Sequence, residues 1–282
     1  MRLSNCRLGV LISMAILLLA FLSPACSERT VSVDVDQIVA MALASPSSVV
    51  SYRLDYSVRE HMRGEVDGER VRAEVTMDMD ALIDMTNRKM QADLTFSYDD
   101  LANPAADVEF SCREFAVGED WYVGVSPDNS EGEMVWQKLD MDIWEKSEMV
   151  AQQLALLEQA EPEYVGAEEV DGVACDVLEF TPDMAGVWNI MSQQGIWGDD
   201  IEMPDLAAEA VKSAKTKQWI ARETSRLMKA EVEMDLHVDA QDIDPTLETG
   251  GVDIQMTGVL LFDHYNEPAS IELPPEAIEQ TS

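Results

Sequence analysis

Apolar and polar positions alternate along most of this chain, and helical spacing interrupts the alternation at a few places. Val71, Ala73, Val75, Met77 and Met79 alternate with polar residues, as a strand with one buried face does. The Asp67-Gly68 pair just before them predicts a turn, and residues 48–59 read as the strand on its other side. Met90, Ala92, Leu94 and Phe96 repeat the alternation, and further strands are predicted at 109–117, 121–125 and Val135–Leu139. Turns at Gly118-Glu119-Asp120 and Pro127-Asp128-Asn129 separate the last three. The result is a six-stranded antiparallel meander.

The period then changes. From Asp142, with Glu145 three places on as its capping partner, Ile143, Val150, Leu154 and Leu157 recur at helical spacing up to Pro162. A hairpin follows, 164–170 with Val173–Phe180, turning at Asp171-Gly172. Thr181-Pro182 starts a second helix with the apolar stripe Met184, Val187, Trp188 and Met191, stopping near Gly195. A short helix is predicted at 204–213, and strands resume at 218–221, 227–238 and 252–265. An earlier helix, Val35–Ala44, opens the series. The fold class is therefore α+β: one large antiparallel sheet curved over helices on one side. Such a sheet can enclose an apolar cavity.

The N-terminus changes the picture of where this domain works. Arg2 and Arg7 precede an almost wholly apolar run from Val10 to Leu22, which is shorter than the roughly 20 residues a membrane span needs. Ser23-Pro24-Ala25 and then Cys26 follow at once, resembling the lipoprotein box of bacteria, with Leu22 one place earlier than usual. Residues 1–25 are thus expected to be a signal peptide, Cys26 the site of lipid attachment, 26–34 a tether and 35–282 a single domain. Ordinary cleavage after Ala25, giving a secreted protein, and an uncleaved anchor are the alternatives.

Removing residues 1–25 leaves 17 Lys and Arg against 55 Asp and Glu, a formal charge of −38. Nucleic acid needs a basic footprint and is excluded as a partner, as is attraction to anionic headgroups. The charge keeps a surface protein dispersed, or reflects a high-salt habitat. With 46% hydrophobic residues the chain can bury a core.

Of four Cys, Cys112 and Cys175 remain after Cys6 leaves with the signal and Cys26 takes the anchor. In an exported chain they form a candidate disulfide, or two separately buried thiols. No G-x-S-x-G elbow, H-E-x-x-H helix or P-loop is present, and His61, His237 and His264 are the only imidazoles. An enzyme is not expected, and no cofactor is implied. Met77, Met79, Met85 and Met90 could suggest soft-metal binding, but strand-core positions explain them more simply. Asp99-Asp100 and Asp199-Asp200 lack the spacing of a Ca²⁺ loop and read as turns. Met is abundant, 17 residues, and suits adaptable apolar surfaces. Met149, Leu154, Met184, Trp188 and Met191 are the candidate lining of a lipid cavity, or ordinary helix-packing positions.

Several short pieces resemble a known superfamily, that of the lipoprotein carrier LolA and the lipid-binding lipoproteins of the LppX/LprG type, with RseB-like sensor domains similar in fold. Gly118-Glu119-Asp120-Trp121-Tyr122-Val123 followed by Val135-Trp136-Gln137-Lys138-Leu139 resembles a strand pair of these proteins. Glu168 to Cys175, with Asp171-Gly172 at its turn, resembles one of their hairpins. Lys217-Gln218-Trp219-Ile220-Ala221-Arg222-Glu223-Thr224 through Lys229 resembles another, with Ala221 in place of the usual Asp. Asp263-His264-Tyr265-Asn266-Glu267-Pro268 leading to Ile271-Glu272-Leu273-Pro274 resembles their ending. The resemblance implies a half-open barrel wrapped around helices, an apolar pocket for acyl chains, and no catalytic residues. The expected partners are a hydrophobic ligand or lipid and a membrane reached through the anchor. An interaction or sensor module of the same fold, reading an envelope protein, is the alternative function.

Overall fold

The computed structural model describes residues 33–126, 134–139, 144, 149–184, 187, 210–243 and 249–281. The signal peptide, Cys26, the 127–129 turn, the helix start at Asp142 and Glu145, Trp188, Met191 and Gly195 lie outside them.

Helix α1 (Val35–Ala44) forms where the sequence places it, and Pro46 then starts a 3₁₀ turn, Ser45–Ser48. Six strands follow: β1 (Ser51–Val66), β2 (Glu69–Asp84), β3 (Lys89–Asp100), β4 (Val108–Val117), β5 (Asp120–Ser126) and β6 (Val135–Leu139). Helix α2 (Met149–Glu158) precedes β7 (Glu163–Val170), β8 (Val173–Phe180), β9 (Val211–Ala221) and β10 (Leu227–Asp239). The short α3 (Ala240–Ile243), β11 (Gly250–Asp263) and α4 (Pro275–Thr281) complete the described chain.

All eleven strands belong to one antiparallel sheet in the order β6-β5-β4-β3-β2-β1-β11-β10-β9-β8-β7. Two meanders build it. The first runs outward from β1 to β6, and the second enters at the far edge with β7 and returns to β11. Fourteen residue pairs, Arg53–Asp263 to Val66–Gly250, join first strand to last. Gly64 permits close approach near one end of this ladder: a Cβ there would overlap the Gly251 carbonyl oxygen. The sheet is curved and unclosed, which is the half-open barrel that the resemblance implies.

The alternation decides the faces. On β1, Leu54, Tyr56 and Val58 point to the inner face that α1 and α2 cover, while Arg53, Asp55 and Arg59 point outward. Leu54, Ile83, Leu154, Leu157, Leu178, Ile220, Leu227, Leu260 and Phe262 are each at most 2% exposed and form the main core. Burying each such side chain stabilises the fold by about 1.5–3 kcal/mol. Small residues, Ala81, Ala92 and Ala230, stand among them and leave the helices room to seat. The outer face is charged and cross-braced: Arg59 forks onto both oxygens of Asp78 at 3.1 and 3.0 Å, Arg113 meets Asp93 at 2.6 Å, and Arg53 holds Asp55 and Asp80.

Both sheet edges are protected. At β6 the Gln280 side chain of α4 imitates a strand: its Oε1 accepts from the Trp136 N–H at 3.0 Å, and its Nε2 donates to the Met134 carbonyl at 3.2 Å. Phe115, Trp136, Ile271 and Ala277 pack beneath that helix on the outer face. At β7 a bulge between Tyr164 and Gly166, with Glu163, Glu168 and Glu169, discourages further pairing.

Three expectations are corrected. The short helix at 204–213 gives way at its end to strand, because Val211 and Ser213 pair with Leu236 and Asp235 of β10; ladder bonds override local helix preference. The first strand begins at Ser51, since Ser45–Ser48 are held by Pro46 in the 3₁₀ turn. Cys112 and Cys175 are free and buried, not a disulfide. Cys112 lies on β4 opposite the inward Leu94, whereas Cys175 on β8 belongs to an outer-face cluster with Val177 and Trp219. Six strands stand between β4 and β8 in the sheet, while a disulfide needs Cα atoms within about 7 Å.

Candidate functional site

The centre of the inner face is not filled by the described helices. One straight row of cross-strand partners crosses six strands: Phe96 (β3), Met77 (β2), Val58 (β1), Gly258 (β11), Val232 (β10) and Thr216 (β9). A second row, one pleat along, contains Val75, Glu60, Met256 and Met234. Tyr56 and Leu260 come from a third. Together with Met149, Gln153 and Leu156 of α2, and Val187, these residues enclose a cavity of about 330 Å³. That is near the low end for small-molecule pockets, which run from about 300 to 1,000 Å³.

Helix α2 has two inward stripes. Val150, Leu154 and Leu157, at i, i+4 and i+7, key into the core, whereas Met149, Gln153 and Leu156 line the cavity, Leu156 and Met149 also touching the core at its rim. Gln218 of β9 ties this helix to the sheet, its Nε2 donating to the Gln153 carbonyl at 2.7 Å in a buried bond. Four methionines, Met77, Met149, Met234 and Met256, make the wall adaptable. Gly258 makes it deep, because nothing lies within 4 Å of where its Cβ would be.

The polar groups are few. Glu60 and Tyr56 are the only titratable side chains in the described lining. Burial raises the Glu60 carboxyl above the usual carboxylate range. Burial, with Glu60 nearby, pushes the Tyr56 phenol up to about 12. Thr216 Oγ1 and Gln153 Oε1 are buried and have no hydrogen-bond partner among the described residues.

Of the five predicted lining residues, Met149 lines the cavity and Leu154 is core, 1% exposed. Met184 packs on the core instead, and Val187, three places on, supplies the wall; Trp188 and Met191 lie outside the described residues. Met79, Met85 and Met90 also pack on the core, and no group of three or more His, Cys, Asp or Glu among the described residues could hold a metal ion. Of the sheet residues of the floor, Val75, Met77 and Phe96 are predicted as strand positions, but none as cavity lining. One signal for them was there: Glu60 interrupts the apolar phase of Leu54, Tyr56 and Val58.

Among the described residues no helix is long and apolar enough to cross a membrane. No protein-family model and no curated protein sequence matches the chain. Solved structures do. LppX, a lipoprotein of Mycobacterium tuberculosis, is 14% identical over 84% of this chain and 99% of its own, with a TM-score of 0.40. LprF from Mycobacterium bovis is 14% identical over 84% and 95%, with a TM-score of 0.45. A LolA superfamily protein from Nitrosomonas europaea is 12% identical over 86% and 95%, with a TM-score of 0.21.

Proposed function

We propose that this protein binds a hydrophobic ligand, an acyl chain or other narrow hydrocarbon, in the cavity between the sheet and α2. The observation that carries the reading is the cavity itself: apolar residues from five strands and a helix leave about 330 Å³ unfilled, where a packed interior tolerates few such voids. Binding would be passive. Each Å² of apolar ligand surface leaving water contributes about 25 cal/mol, and release requires the α2 roof to shift. The role is carriage or storage rather than catalysis.

We place this activity outside the cytoplasm, with the domain of residues 35–282 held at a membrane by lipid on Cys26 through the 26–34 tether. The support is the Arg2–Arg7 start, the apolar run and the small residues before Cys26. Two acyl chains, at about 0.8 kcal/mol per buried methylene, suffice for stable attachment.

Both halves are testable. The full chain carrying Cys26→Ser, purified after export, should enhance the fluorescence of the neutral probe N-phenyl-1-naphthylamine, with saturation at one site. Absence of a saturable site contradicts the binding role. Metabolic labelling with palmitate should mark the wild-type chain and not Cys26→Ser; label retained in that variant contradicts the anchor.

A further inference from the structure

The cavity holds one group that a pure hydrocarbon does not need. Glu60 stands on the floor in register with Val75 on one side and Met256 on the other, both apolar. It makes no hydrogen bond or ion pair with any described residue, and no Lys, Arg or His is among the described lining residues. The nearest basic residues on its own strand, Arg59 and His61, point to the opposite face, where they pair with Asp78 and Glu74. Glu60 is half-buried, and a carboxylate partly withdrawn from water among apolar neighbours is costly unless it is neutralised or paired.

Resting on the reading that this cavity takes an apolar ligand, we infer that the ligand is a hydrophobic amine whose protonated nitrogen pairs with Glu60 while its hydrocarbon body lies along Val58, Met77, Met234 and Met256. Three further features fit a cation. Gln153 Oε1 and Thr216 Oγ1 are further unpartnered oxygens in the same lining, which therefore holds acceptors and no cation among its described residues. Tyr56 and Phe96 present aromatic rings to the same space, and such rings attract a desolvated cation. The chain's formal charge of −36 enriches cations around it and repels anionic amphiphiles. A fatty acid carboxylate would face Glu60 as a like charge. A long-chain alcohol would use the apolar wall but leave the carboxylate unpaired.

The test is competition for bound N-phenyl-1-naphthylamine at pH 7 by decylamine, decanol and decanoic acid, with the full chain carrying Cys26→Ser. Decylamine should displace the probe at a concentration at least tenfold below that of decanol, with decanoic acid the weakest. Glu60→Gln should bring the amine-to-alcohol ratio close to one. Equal displacement by amine and alcohol on the unaltered cavity overturns the inference, as does a tenfold preference that survives Glu60→Gln. Should that variant not fold, the ratio with Glu60 intact still decides. Failure of the probe itself to bind would remove the cavity reading as well; probe binding without amine preference removes only the role of Glu60.

Discussion

Val58 and Gly258 stand opposite each other across β1 and β11, at the junction of the two meanders, and the space where Gly258 would carry a side chain is empty. The missing side chain opens the floor between Val58 and Val232. Gly258→Phe should fill that space without a backbone clash. N-phenyl-1-naphthylamine affinity is expected to fall at least tenfold, with the thermal midpoint unchanged or higher. Unaltered affinity would place the probe elsewhere.

The two stripes of α2 should respond differently to truncation. Leu154→Ala removes a side chain sealed in the core and is expected to cost about 2–5 kcal/mol in urea unfolding. Leu156→Ala, at a wall that already borders open space, should cost less and change probe affinity instead. Equal losses of stability would mean that α2 has no cavity face.

Glu60 predicts a pH signature. Its carboxyl titrates higher when folded, because burial disfavours the charged form. Below the unfolded value both states hold the proton and there is no effect. As pH rises, the folded protein keeps a proton that the unfolded chain has lost, so stability falls through that window and stays lower above it. Glu60→Gln should therefore raise the ligand-free thermal midpoint at pH 7 by about 2 °C or more, and the gain should vanish toward pH 4. A gain that grows on acidification would contradict the assignment.

Cys112 and Cys175 should both titrate with a thiol reagent when Cys26→Ser protein is unfolded without reductant. In the folded protein they should be slow, since burial pushes the Cys112 thiol up to about 12 and also raises that of Cys175. Recovery of both thiols only after reduction would restore the disulfide.

The sheet was legible from the chain because its inner phase is so regular. Val71 to Met79 and Met90 to Phe96 alternate without a break, and Asp67-Gly68 and Asp171-Gly172 take the left-handed turn geometry expected of them. The pairing of β1 with β11 was not legible, because it joins residues about 200 positions apart through ladder bonds that leave no local signal. The cavity wall was hidden for the same reason. Thr216, Val232, Gly258, Val58, Met77 and Phe96 form one row only after six strands are in register. Leu154 and Met149 look alike in a helical stripe, and the tie from Gln218 to the Gln153 carbonyl fixes how α2 sits against β9. A one-face expectation for that helix could not separate core from lining.

Native mass spectrometry of the protein released gently from membranes tests the central claim most directly. The wild-type chain is predicted to carry the added mass of one hydrophobic molecule, and the Gly258→Phe chain to lack it. A bare wild-type protein, or an adduct held equally by both, would contradict a ligand seated between the sheet and α2.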